Sequence, residues 1–151
     1  MGRGQCPRPG GLSERSAAYR RREAPVGWKA TVRREGGVAV VTSLPVPNRN
    51  ENPERVRLAR GGAYIWISDY GRVRSSGIGS RPARIQLGEK SSHACGFGEG
   101  YMLNFTDRQR LFQIFVKVGP STDTRSVLAV LNSLQVASLR PAVRRTRVRN
   151  Q

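Results

Sequence analysis

Hydrophobic and polar positions alternate along this chain in a series of short runs, then switch once, near the C-terminal end, to helical spacing. Residues 28 to 34 place Trp28, Ala30 and Val32 on one face and Lys29, Thr31 and Arg33 on the other, as a half-buried strand requires. Glu35-Gly36-Gly37 supplies turn chemistry, and Val38 to Leu44 is apolar on both faces, so the two runs predict a hairpin. Pro45 and Pro47 end the second run, and a polar loop leads to a short predicted helix over Glu54 to Ala59. In Ala63 to Asp69, Ile65 and Ile67 oppose Tyr64 and Trp66, and apolar groups on both faces predict a central strand.

Gly71, Gly77, Gly79 and Pro82, scattered among Ser and Arg, predict a long mobile loop over residues 71 to 82. Ala83 to Leu87 alternates again and predicts a short strand with Ala83, Ile85 and Leu87 inward, before a turn-rich stretch from Gly88 to Gly100. The clearest pattern follows. Tyr101, Leu103 and Phe105 alternate with Met102, Asn104 and Thr106, a polar turn comes at Asp107-Arg108-Gln109, and Phe112, Ile114, Val116 and Val118 share one side of the returning strand. Gly119-Pro120 stops that strand. Ser121 is the predicted N-cap of a helix to about residue 135, with Asp123 in its first turn and Val127, Leu128, Leu131 and Leu134 as one apolar stripe.

These elements predict an α+β fold: a single antiparallel sheet of five to six strands, with one C-terminal helix packed on one face. The 151 residues suffice for one domain, placed at 26–138. Only 37% of the chain is hydrophobic, and the shortage sits at its ends. Residues 1–25 and 139–151 are too poor in aliphatic side chains to repay the entropy of ordering and are expected to be disordered basic segments.

The net charge of +17 divides into +4 for residues 1–25, +8 for 26–138 and +5 for 139–151. A charge of that size attracts polyanions through a sequence-independent field, which predicts non-specific adhesion rather than recognition. Of the 27 basic residues only Lys29, Lys90 and Lys117 are lysine, so the excess of Arg, with 17 Gly and 9 Pro, reads as a GC-rich coding bias as much as selection for a partner. No apolar run approaches the roughly 18 residues of a membrane-spanning helix, and Met1-Gly-Arg-Gly-Gln-Cys6 has no apolar core of an export signal. The cytoplasm is the expected compartment.

Candidate chemistry is sparse. His93 is the only histidine, and in His93-Ala94-Cys95 an extended backbone would point thiol and imidazole to the same side, the one arrangement resembling a nucleophile and its base. No orienting acid stands at readable spacing, and Cys95 is read first as a small hydrophobe. Cys6, Cys95 and His93 fall short of the four ligands of a structural zinc site, so no metal is expected, and no cofactor either. The glycines of Gly96-Phe-Gly-Glu-Gly100 do not follow dinucleotide-loop spacing, and acids such as Glu51, Glu54, Asp69 and Glu99 offer only the pairs that any scatter produces. Tyr64, Trp66 and Tyr70, followed by Arg72 and Arg74, form the aromatic and basic mixture that stacks on single-stranded bases. Strand aromatics are first of all packing residues, and the weightier expectation is that Trp66 lies beneath the helix or against the 45–60 loop.

Gly61-Gly-Ala-Tyr-Ile-Trp-Ile, Arg81-Pro-Ala-Arg-Ile, Cys95, Tyr101, Arg110-Leu-Phe-Gln-Ile-Phe-Val, Gly119 and Leu128-Ala-Val-Leu-Asn-Ser-Leu-Gln-Val together resemble a type of small α+β domain found in high-GC Gram-positive bacteria, over about Gly27 to Val136. The resemblance implies an architecture and transfers no catalytic or binding residue. Because such domains often follow an export signal or a membrane anchor, it also implies the cell envelope as the alternative location. The resulting expectation is a non-enzymatic structural or protein-interaction domain. Weak electrostatic nucleic-acid binding through the Arg-rich ends is second, and a Cys95/His93 enzyme third.

Overall fold

A computed structural model of the chain describes residues 27–33, 38–43, 55–74, 77–92 and 97–135. Within them lie five strands and one helix: β1 (Lys29–Arg33), β2 (Val38–Thr42), β3 (Ala63–Arg72), β4 (Tyr101–Asp107), β5 (Arg110–Val118) and α1 (Thr124–Ser133). The strands form one antiparallel sheet in the order β1-β2-β3-β5-β4, and α1 packs on one of its faces. This is the expected α+β architecture, with five strands among the described residues. The Glu35-Gly36-Gly37 turn and both terminal segments lie outside those residues.

β3 is the central strand that its two-sided apolar pattern predicts, pairing with β2 along Val38↔Ser68 to Thr42↔Tyr64 and with β5 along Ala63↔Val118 to Asp69↔Phe112. It runs three residues beyond the predicted end. A register shift between Asp69 and Arg72 carries it past Gly71, whose φ of 81° is the left-handed conformation that a side chain disfavours. The β4–β5 hairpin closes on Arg108 and Gln109, both at positive φ (49° and 61°), the signature of the two-residue turn that matches strand twist.

On the helix face, Ala39 and Val41 of β2, Ile65 and Ile67 of β3, Phe105 of β4 and Ile114 and Val116 of β5 meet Val127, Val130, Leu131 and Leu134. Burying each Val, Leu, Ile or Phe among them contributes about 1.5–3 kcal/mol. Alternation explains the strand faces, and the 3.6-residue period explains the helix stripe. The helix starts later than expected. Asp123 is the N-cap, its carboxylate accepting the Arg125 amide at 3.0 Å, whereas Ser121 sits at φ 57° in the turn before it.

Two other expectations are corrected. Of the short helix expected over Glu54 to Ala59, Arg55 lies in a 3-10 turn, Glu54 lies outside the described residues, and residues 56–59 are not helical, with Val56 buried at 2% exposure between solvent-facing Arg55 and Arg57. Ala83 to Leu87 is not a sixth strand. Ile85 does turn inward, but its backbone is held by the helix, with Asn132 Oδ1 accepting the Ile85 amide at 2.8 Å and Asn132 Nδ2 donating to the Ile85 carbonyl at 3.3 Å. One side-chain amide thus satisfies both groups that a neighbouring strand would have paired.

The flanking loop is tied at several points. Val73 donates to the Gln109 carbonyl, Thr106 to that of Gly79 and Arg81 to that of Thr106, at 2.7–2.9 Å. Arg81 adds a side-chain clamp, reaching Asp107 Oδ2 and the Leu131 carbonyl, each at 3.3 Å, with its guanidinium 5.7 Å from the centre of the Phe105 ring. Residues 77–92 therefore form a strap that passes over the end of the helix and returns to β4, where Ser91 and Gly100 exchange two backbone hydrogen bonds.

Candidate functional site

The residues expected to carry chemistry do not converge. His93 and Cys95 lie outside the described residues. Tyr64 and Trp66 lie on the sheet face turned away from the helix, because they alternate with Ile65 and Ile67 on the helix side, so Trp66 does not lie beneath the helix. Arg72 is exposed at the far end of β3, and Arg74 is exposed just beyond it. Eight residues of strand separate Tyr64 from Arg72, about 27 Å at 3.4 Å per residue.

That second face carries an aromatic cluster. Tyr64 and Trp66 stack with ring centres 6.4 Å apart, Trp66 meets Phe97 at 6.0 Å, and Phe97 stacks on Phe115 at 5.1 Å. Phe115 is fully buried although it points away from the helix, while Phe97 and Trp66 remain half-buried. Gly100 makes the arrangement fit. A Cβ there would run into the Phe115 ring and the Val116 carbonyl. Val40, Trp66, Phe115 and Met102 lie opposite one another across four neighbouring strands, giving one apolar row. Tyr64 itself is 2% exposed and presents no open ring face. The Trp66 indole N–H donates to Ser68 Oγ at 3.0 Å.

Further along the same face, the Tyr70 hydroxyl donates to Oε1 of buried Gln113 at 3.0 Å. Burial raises the Tyr70 pKa above the ordinary 10.0, against a smaller opposing effect of a Ser68 hydrogen bond. On the helix face, Asp69 and Arg110 form a buried ion pair, each at 6% exposure. Arg110 Nε lies 3.2 and 3.0 Å from the two carboxylate oxygens, its Nη2 donates to Oδ2 at 2.6 Å, and Asp69 Oδ1 also accepts the Gly71 amide at 2.9 Å. A carboxylate so completely engaged secures the β3 bulge to the start of β5.

Sequence reasoning missed Phe115 as a second-face core residue and missed the Asp69–Arg110 pair. The first had a signal: β5 is apolar at Phe115 as well as at Phe112, Ile114 and Val116, so it breaks strict alternation. The second, between residues 41 apart, had none.

Two open clefts flank the sheet at opposite ends of β5. One, of about 810 Å³, lies between residues 55–58 and the segment from Lys117 to Pro120. The other, of about 570 Å³, lies beside the β4–β5 turn and includes Arg74, Arg81, Asp107 and Arg108. Among the described residues, no group of three or more His, Cys, Asp or Glu could hold a metal ion, every buried side-chain nitrogen and oxygen has a partner, and no helix is long and apolar enough to cross a membrane. Comparison of the chain with protein-family models, with curated proteins and with solved structures finds no match.

Proposed function

We propose that this chain is a non-enzymatic interaction module that packs a protein partner against the aromatic face of its sheet. The observation that carries the reading is the sealed Phe115. A phenylalanine wholly buried on the face without the helix, under half-exposed Phe97 and Trp66, makes that face a preformed apolar surface with a polar surround of Thr31, Ser68 and Asn104. Interfaces concentrate binding energy in such partly exposed aromatic and Met side chains within a polar rim. A protein partner suits the face better than stacked bases do, because Tyr64 is enclosed and the Trp66 N–H is engaged within the strand.

The test is site-specific photo-crosslinking in cells that naturally make the protein. A photoreactive residue at Met102, on this face, is expected to give a discrete protein adduct, and one at exposed Ala129 of the helix is expected to give none. The same adducts from both positions, or none from Met102, would overturn the reading.

The competing reading is electrostatic nucleic-acid binding. Its support is that Asp69, Glu99, Asp107 and Asp123, four of the five described carboxylates, are held in ion pairs within the domain, which leaves the basic excess facing outward.

A further inference from the structure

We infer that the outer edge of β4 takes up a short extended segment of a partner protein, paired through the main chain of Met102 and Asn104. The inference deepens the protein-partner reading by naming how the partner docks beside the aromatic face, and its experiment can fail while that reading stands.

β4 is an edge strand whose outward main-chain groups are engaged only at its two ends. Gly100 exchanges two backbone hydrogen bonds with Ser91, and Thr106 donates to the Gly79 carbonyl and accepts from the Arg81 amide. Successive residues of a strand turn these groups to opposite sides. Met102 and Asn104, in step with Gly100 and Thr106, therefore also face outward, while Leu103 and Phe105 bond to β5. Among the described residues, nothing pairs with the outward groups of Met102 and Asn104. The strap is committed elsewhere over this stretch: Asn132 holds Ile85 to the helix, and Gly88 is exposed, with open space where a Cβ would stand.

The two ties lie about 20 Å apart along β4, at 3.4 Å per residue, which bounds the occupant. A segment laid antiparallel between them exchanges main-chain hydrogen bonds with both Met102 and Asn104, the mode in which an extended peptide adds a strand to an open sheet edge. Its side chains opposite those residues lie on the aromatic face, and the one between them lies beside half-buried Leu103 on the helix face. An apolar residue suits the place beside Met102 and the place beside Leu103. A second β4 does not fit, because the positions it needs beside Gly100 and Thr106 are filled and its own edge carries the same ties. β1, the other edge strand, is the poorer site, since it carries exposed Lys29, and lysine guards an edge against pairing.

The experiment selects a phage-displayed library of random peptides on the full-length protein, and the enriched peptides are synthesised. Hydrogen exchange followed by NMR is expected to show the Met102 and Asn104 amides slowed about tenfold or more by such a peptide, while those of Leu103 and Phe105, already bonded to β5, change little. Asn104→Pro removes the outward N–H, a change that an edge strand tolerates, and is expected to weaken binding by about tenfold or more. Asn104→Ala keeps the N–H and is expected to bind within about twofold of the native chain. The same is expected of Ala30→Pro, which removes an outward N–H from the edge of β1.

Unchanged melting curves verify the fold of each variant, and the exchange measurement on the native chain decides the question by itself. Failure to enrich any peptide, binding that leaves the Met102 and Asn104 amides exchanging freely, or equal weakening by Asn104→Pro and Ala30→Pro would overturn the inference. The adduct from Met102 then still tests the aromatic face on its own. Self-association that slows the same amides without peptide, seen by sedimentation at rising concentration, would give the edge to a second copy and would likewise overturn it.

Discussion

The buried Asp69–Arg110 pair is the most demanding arrangement in the domain at the scale of single residues. Each charge has left water, and the cost is offset by three contacts between the partners together with the Gly71 amide. Replacing one partner strands the other, so Asp69→Ala is expected to destabilise the fold by about 3–5 kcal/mol, read as a lower urea midpoint with an unchanged slope. Asp69→Leu/Arg110→Met removes both charges and is expected to recover much of that loss. A double variant as unstable as the single one would show that shape, rather than charge burial, sets the cost. The pair could not be read from the sequence because its members come from two strands that are adjacent only after the sheet has formed.

At the scale of elements, the β4–β5 hairpin was legible to within a residue because its strands alternate and end in polar side chains, while the turn geometry was not. Arg108 and Gln109 occupy left-handed conformations that neither residue favours. Substituting Asn at 108 and Gly at 109 is therefore expected to stabilise the domain by about 1 kcal/mol, seen as a higher melting temperature, with no gain if these backbone angles are not adopted in solution. The strap shows the opposite limit. Ala83, Ile85 and Leu87 alternate in the sequence, yet only Ile85 is buried while Ala83 is exposed, and periodicity cannot say whether a backbone pairs with a strand or with a side chain; Asn132 supplies the pairing from the helix. The helix stripe was readable from Val127 to Leu134, yet its cap moved from Ser121 to Asp123, because both residues suit an N-cap and only the turn before the helix selects between them. Of the candidate site, the residues Tyr64 and Trp66 were legible. The contact of Trp66 with Phe97, which in turn stacks on Phe115, joins residues far apart in the sequence, and no local pattern encodes it.

For the molecule as a whole, the decisive quantity is how ten carboxylates are spent against 27 basic residues. Lys90 beside Glu99 and Arg125 beside Asp123 hold both carboxyl groups below their ordinary values of 4.5 and 3.8. A pKa depressed by folding marks stability that is present above the unfolded value and lost as the pH falls through the folded one. Acidification therefore removes these two contributions, and each proton taken up also adds to a charge that is already +17. Salt opposes the second effect by shortening the screening length from about 10 Å at 0.1 M to about 3 Å at 1 M, while it weakens the exposed pairs themselves. Exposed pairs contribute little and repulsion sums over the whole surface, so screening should win. The melting temperature is expected to fall steeply below about pH 4 and to rise with added sodium chloride, more at about pH 3 than at pH 7. A melting temperature that drops with salt at pH 7 would mean that the ion pairs outweigh the repulsion, and that the domain tolerates its basic excess through local pairing rather than by keeping like charges apart.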